Sequence, residues 1–128
     1  MLKFLVVDDE VDVEMLFRQH FRKEIRSGDL ILEFAFSGDE ALQILRDTEP
    51  PDVMYIFSDI NMPGMTGIEL LEKVKVEFPS IHVSMISAYG DDDNMRSAMS
   101  SGAKEFFTKP IDFEKLKEEI RQYSDKEE

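Results

Sequence analysis

The chain has 128 residues, the size of one domain, and its 42% hydrophobic and 34% charged residues give a globular composition. It carries no cysteine and two histidines, His20 and His82, which excludes a disulfide scaffold, a thiolate metal site, a cysteine nucleophile and a multi-histidine metal centre. With 15 Lys and Arg against 28 Asp and Glu, the net charge of −13 repels phosphate backbones and anionic lipid, so direct nucleic-acid and membrane binding are disfavoured.

Short apolar runs alternate with longer amphipathic stretches. Lys3–Val7 reads as a strand buried on both faces, and Asp8-Asp9-Glu10 ends it too early for a signal peptide. No apolar run reaches membrane-spanning length, so the expectation is a cytoplasmic chain. A helix is predicted from Val11 to about Ile25, with Met15, Leu16, Phe17 and Phe21 as a broad apolar stripe, followed by a turn at Ser27-Gly28-Asp29. Leu30–Phe36 is the second strand. Ser37-Gly38-Asp39-Glu40 is a capping box that starts a helix carrying Ala41, Leu42, Ile44 and Leu45, and Pro50-Pro51 ends that unit.

Val53–Phe57 is the third predicted strand, leading to Ser58-Asp59 and a loop rich in Pro and Gly. Thr66-Gly67-Ile68-Glu69 is a second capping box, and its helix places Ile68, Leu71, Val74, Lys75 and Phe78 at spacings of three and four before Pro79. His82–Ile86 is the fourth strand, ending at Ser87. Asp91-Asp92-Asp93 suits the positive end of a helix dipole and reads as a solvated helix start, with Met95, Ala98 and Met99 on one face. Glu105–Thr108 is a short fifth strand, and Phe113, Leu116, Ile120 and Tyr123 mark the fifth helix. The domain is taken as residues 1–124 and the acidic tail as residues 125–128.

Strict alternation of strand and helix predicts a single doubly wound α/β domain, a parallel sheet with helices on both faces. Such sheets bind ligands beyond the carboxyl ends of their strands. Here those ends carry Asp8 and Asp9, Asp59, Ser87, and Lys109-Pro110. Each acid alone is common as a cap. Together, crowded carboxylates repel by about 4 kcal/mol per pair at 4 Å and an effective dielectric of 20. They must protonate or hold a cation, and hard oxygen ligands suit Mg²⁺ or Mn²⁺.

The ordered set Asp8-Asp9, Asp59-Ile60-Asn61-Met62-Pro63-Gly64-Met65-Thr66-Gly67, Ser87-Ala88 and Lys109-Pro110 resembles the receiver domain of two-component response regulators. The resemblance spans essentially the whole chain. It implies a flavodoxin-like (βα)5 fold with strand order 2-1-3-4-5, which sets the first and third strands side by side. By resemblance, Asp59 is the phosphoacceptor, and a sensor histidine kinase or histidine phosphotransfer protein is the donor. Asp9, Asp59 and the Asn61 carbonyl bind Mg²⁺, and Asp8 acts mainly through a metal-bound water. Lys109 pairs with Asp59 and then with the phosphoryl oxygens, across a cis bond to Pro110. Ser87 is the switch hydroxyl, small Ala88 leaves room for the acyl phosphate, and Phe106 is the partner aromatic. Asn61 and Tyr89 occupy positions that vary with phosphoryl lifetime in this family.

The resemblance further implies a switch with self-dephosphorylation and not a turnover enzyme. The downstream protein would bind a face of the fourth helix, fifth strand and fifth helix. A monomer is expected, and a phosphorylation-linked dimer is compatible with the last helix. The remaining features have plainer readings: Phe106 as core, Met95 and Met99 as core with exposure of one of them left open, Met62 and Met65 as loop packing, Thr66 as a cap, and His20 and His82 at the surface or a strand edge. With no output domain after the last helix, the chain is expected to be a stand-alone regulator or the receiver of a larger protein. Two rivals stay open, a phosphorylation-independent module of the same fold and an aspartate-nucleophile phosphatase. Asn61 disfavours the second, which needs an acid two residues after Asp59.

Overall fold

The strands are β1 (Leu2–Val7), β2 (Leu30–Ala35), β3 (Tyr55–Asp59), β4 (His82–Ala88) and β5 (Phe106–Lys109). In the computed structural model they form one parallel sheet in the order β2-β1-β3-β4-β5, as expected. The structure describes residues 2–48, 51–88 and 90–127, with residues 123–127 described by backbone alone. Among the described residues, no helix is long and apolar enough to cross a membrane.

Both faces of the sheet are buried, and alternation along each strand sorts its side chains between two cores. Leu5, Val7, Ile56, Val83 and Met85 point to an aliphatic core. It is closed by Ala41, Leu42 and Leu45 of α3 (Gly38–Arg46), Leu70, Leu71 and Val74 of α4 (Gly67–Glu77) and Ala98 of α5 (Asp92–Ser100). Phe4, Val6, Tyr55, Phe57, Ile86 and Phe107 point to the other, aromatic core. It is closed by Val13 and Phe17 of α1 (Val11–His20) and by Phe113, Leu116 and Ile120 of α6 (Phe113–Glu127), with α2 (Arg22–Arg26) between β2 and α1 in the chain. Phe17 and Phe113 meet edge to face at 5.2 Å, so rings lock α1 to α6.

Several sequence expectations are corrected. The first helix is two, broken at Phe21, whose backbone leaves helical values (φ −106°, ψ 18°) while its ring stays buried beside Phe17 and Phe113. The fourth and fifth predicted helices are therefore α5 and α6. Met15 and Leu16 are exposed, because the buried stripe of α1 runs through Val13 and Phe17 and on to Phe21, at spacings of four. The third strand starts at Tyr55 and includes Asp59, since Ser58 pairs with Val7 and Asp59 with Ile86. Met95 and Met99 are exposed, and only Ala98 of α5 is buried. Met62 is part of the aliphatic core, and Met65 packs against it. The last helix continues to Glu127, into the segment taken as a tail, whose residues 125–127 include no Gly or Pro to stop it. Tyr89 and Pro50 lie outside the described residues, as does the side chain of Tyr123.

Candidate functional site

The carboxyl edge of the sheet gathers the polar residues that the cores exclude. Asp8 directly follows β1, and its N–H extends the ladder to the Ala35 carbonyl at 3.1 Å. Its Oδ1 accepts from the Glu10 N–H at 2.9 Å, a local turn that ends the strand. Asp59 is the last residue of β3, and its Oδ1 accepts from the Ile60 N–H at 2.9 Å. Both carboxylates are buried, whereas Asp9 is exposed. Oxygens of Asp8, Asp9 and Asp59 all lie within 4.8 Å of one another.

Lys109, the last residue of β5, reaches across this group. Its Nζ lies 3.2 Å from Asp8 Oδ2, 3.6 Å from Asp59 Oδ2 and 3.8 Å from Glu10 Oε1. It therefore sits nearer Asp8 than Asp59, and Glu10 joins the cluster, which the sequence reading missed. The run Asp8-Asp9-Glu10 was the available signal. The bond from Lys109 to Pro110 is cis, as the resemblance implied.

One ammonium does not balance the acids. Burial first, then the Asp8 carboxylate and more weakly Asp9, push the Asp59 carboxyl up to about 6, against the opposing pull of Lys109 and the Ile60 N–H. Burial works against the charged form of Lys109, but Asp59 and Asp8 outweigh it and hold Lys109 above its ordinary range. Three convergent hard oxygen donors with surplus negative charge fit Mg²⁺ or Mn²⁺.

The far side of the site is built by the loop after β4. Ser87 is fully buried and pairs in the sheet with Thr108, and Ala88, exposed, pairs with Lys109. The Ser87 hydroxyl donates to Asp91 Oδ2 at 2.8 Å, and the Asn94 side chain donates to the same oxygen at 2.8 Å. Asn94, then Ser87 and more weakly Asn61 hold the Asp91 carboxyl below its usual range by donating to it. Asp91, expected as part of a solvated helix start, is thus tied into the site, a second residue the sequence reading missed. Its signal, an acid four residues after Ser87, is too common to read alone.

The Asp59 loop is anchored by α4. Thr66 and Glu69 close both halves of the predicted capping box, with Thr66 Oγ1 accepting from the Glu69 N–H at 3.2 Å and Glu69 Oε1 from the Thr66 N–H at 3.0 Å. Gly67 donates its N–H to the Ile60 carbonyl at 2.8 Å. Asn61 is exposed beside this anchor. Phe106 stands apart, half-buried at the start of β5, where it packs against the aliphatic core and borders a groove with Met95 and Met99. His20 is exposed and stacks on Phe113 at 3.9 Å, and His82 is half-buried at the start of β4.

A family model for the response regulator receiver domain matches residues 4–121. Sporulation initiation phosphotransferase F of Bacillus subtilis is 34% identical over 121 residues, 94% of this chain and 92% of that protein. Among solved structures, a response regulator receiver domain protein from Clostridium thermocellum superposes with a TM-score of 0.86 at 25% identity, covering 99% of this chain and 97% of that one. The response regulator TrrA from Thermotoga maritima, solved in complex with Mg²⁺-BeF, has a TM-score of 0.77 at 25% identity, over 95% of this chain and 98% of that one.

Proposed function

Since the chain belongs to the response regulator receiver domain family, we propose that it accepts a phosphoryl group on Asp59 and thereby switches a partner-binding face. The observation that carries this reading is the convergence of Asp8, Asp9 and Asp59 within 4.8 Å, with Lys109 reaching both Asp8 and Asp59. Phosphoryl transfer asks a protein mainly for positioning and charge neutralisation. This edge of the sheet supplies both.

The donor is a phosphohistidine of a sensor kinase or phosphotransfer protein. A carboxylate oxygen of Asp59 attacks phosphorus, the P–N bond breaks, and the imidazole leaves with a proton from solvent. The product is an acyl phosphate. Asp9, Asp59 and the Asn61 carbonyl would hold Mg²⁺, with Asp8 acting through water, and the bound ion supplies positive charge to the transferring oxygens. Lys109 moves its interaction from Asp59 to a phosphoryl oxygen. Ala88, at the exposed rim, leaves space for the group. Ser87 turns its hydroxyl to the phosphoryl, and the loop behind it shifts. The downstream face comprises α5, β5 and α6, where Phe106, Met95 and Met99 stand in the open groove. The similarity to a phosphotransferase and to a receiver complexed with Mg²⁺-BeF supports this assignment.

The test is intact-protein mass after incubation with acetyl phosphate and Mg²⁺, and separately with a phosphorylated histidine phosphotransfer protein. The expected result is a gain of one phosphoryl group, lost in Asp59→Asn and in EDTA. A folded wild-type chain that gains nothing from either donor would overturn the proposal.

A further inference from the structure

Asp91 stands directly before the first residue of α5, where an aspartate usually caps the helix by accepting from backbone N–H groups. Here it closes no full capping bond, although the Asn94 N–H adds weakly to holding its carboxylate charged. Its Oδ2 instead receives two side-chain donors at 2.8 Å, the Ser87 hydroxyl from the end of β4 and the Asn94 amide from the first turn of α5, and the Asn61 side chain donates more weakly to the same carboxylate. A serine hydroxyl has one hydrogen to give. While Ser87 donates it to Asp91, it has none for a phosphoryl oxygen.

We propose that Asp91 is the resting-state acceptor of the Ser87 hydroxyl, a positioning residue that sets how tightly the site holds a phosphoryl group. The inference rests on the reading of Ser87 as the switch hydroxyl. Phosphorylation replaces one charge-assisted bond, Ser87 to a carboxylate, by another, Ser87 to a phosphoryl oxygen. The exchange is close to balanced, so the strength of the Asp91 bond tunes the switching equilibrium. Because Asn94 holds the same carboxylate oxygen, release of Ser87 is felt at the start of α5. That chain of contacts, Ser87 to Asp91 to Asn94, links the phosphoryl site to the groove that α5 shares with Phe106.

The test is calorimetric titration of beryllofluoride with saturating Mg²⁺ into wild type, Asp91→Ala, Asp91→Asn, Ser87→Ala and Ser87→Ala/Asp91→Ala, each first shown folded by circular dichroism. Ser87→Ala should weaken binding. Asp91→Ala should tighten it about tenfold, the size of one lost competing bond to a charged acceptor. Asp91→Asn keeps an oxygen acceptor and should fall between Asp91→Ala and wild type. In the Ser87→Ala background, Asp91→Ala should change affinity by less than about twofold, the additivity limit. Equal tightening in both backgrounds would mean simple removal of a negative charge and would overturn the proposal. If Ser87→Ala weakens binding while Asp91→Ala changes nothing, Asp91 is not the competitor and the switch reading stands. If Ser87→Ala binds as wild type does, the switch reading fails and this proposal with it.

Discussion

Gly67 lies against the backbone of Asp59. A methyl group at Gly67 would overlap the Asp59 carbonyl oxygen and sit 2.9 Å from the Asp59 carbonyl carbon and from Ile60 Cα. The obstacle is main chain at the end of a buried central strand, which cannot swing aside as a side chain can.

Gly67→Ala is therefore expected to destabilise the fold by about 3 kcal/mol, the upper end for overpacking. Helix propensity alone predicts the opposite sign, because Gly67 is the first residue of α4 and alanine is the better helix former. Urea denaturation decides between them. The same variant should accept phosphoryl from acetyl phosphate more slowly, since relieving the overlap moves Asp59. A stable variant with wild-type labelling would show that α4 does not position the acceptor.

The raised pKa of Asp59 fixes a pH dependence. A carboxyl whose folded-state pKa exceeds its unfolded value holds its proton more tightly in the fold. Its contribution favours the fold fully below the ordinary 3.8 and is lost as pH rises through about 6. Above that range the metal-free protein carries a cost of at most about 3 kcal/mol. Asp59→Asn, neutral at every pH, should be more stable than wild type at pH 7 in EDTA. The gap should close as pH falls toward 4. A gap independent of pH would locate the cost in packing and not in charge.

How legible the site was depends on what fixes each residue. Asp8, Asp59, Ser87 and Lys109 were readable because hydrophobic runs mark strands, and parallel strands bring their carboxyl ends to one edge. Strand order then sets Asp8 beside Asp59. The tie from Ser87 to Asp91 was not readable, because it depends on loop backbone angles that no periodicity encodes. The exposure of Met15, Leu16, Met95 and Met99 was misread for another reason. Composition says that these side chains are apolar, but only packing decides which of several apolar rows on a helix meets the sheet. Val13 and Phe17 win on α1, and Ala98 wins on α5.

Cation binding should reverse the electrostatic cost. With Mg²⁺ at 100 times its Kd, the fold gains about 2.7 kcal/mol, seen as a raised Tm that EDTA abolishes. The acids must be ionised to bind, so affinity should fall as pH drops below about 6, where Asp59 takes up its proton. Asp9→Ala should weaken the ion most simply, because Asp9 is exposed and its loss leaves the core untouched. Unchanged affinity in that variant would place the ion elsewhere.

A buried polar group joins the sheet to α6 well away from the acids. The Tyr55 hydroxyl lies 2.5 Å from Ser84 Oγ and donates toward Glu119 Oε1 at 3.3 Å, while Lys104 pairs with the same carboxylate. Tyr55 and Ser84 are fully buried, and burial pushes the Tyr55 hydroxyl well above its usual range, so it stays protonated and can serve as a donor. Tyr55→Phe deprives the Ser84 hydroxyl of that partner and should cost about 1–3 kcal/mol, the penalty for stranding a buried polar group. Ser84→Ala in the same chain removes the stranded hydroxyl as well. The double variant should then lose clearly less than the sum of the two single losses in urea denaturation. Strict additivity would mean that the two hydroxyls do not depend on each other. Because Glu119 belongs to α6, Tyr55→Phe should also loosen that helix on the sheet, read as faster amide exchange along Leu116–Ile120 with the carboxyl-edge loops unchanged.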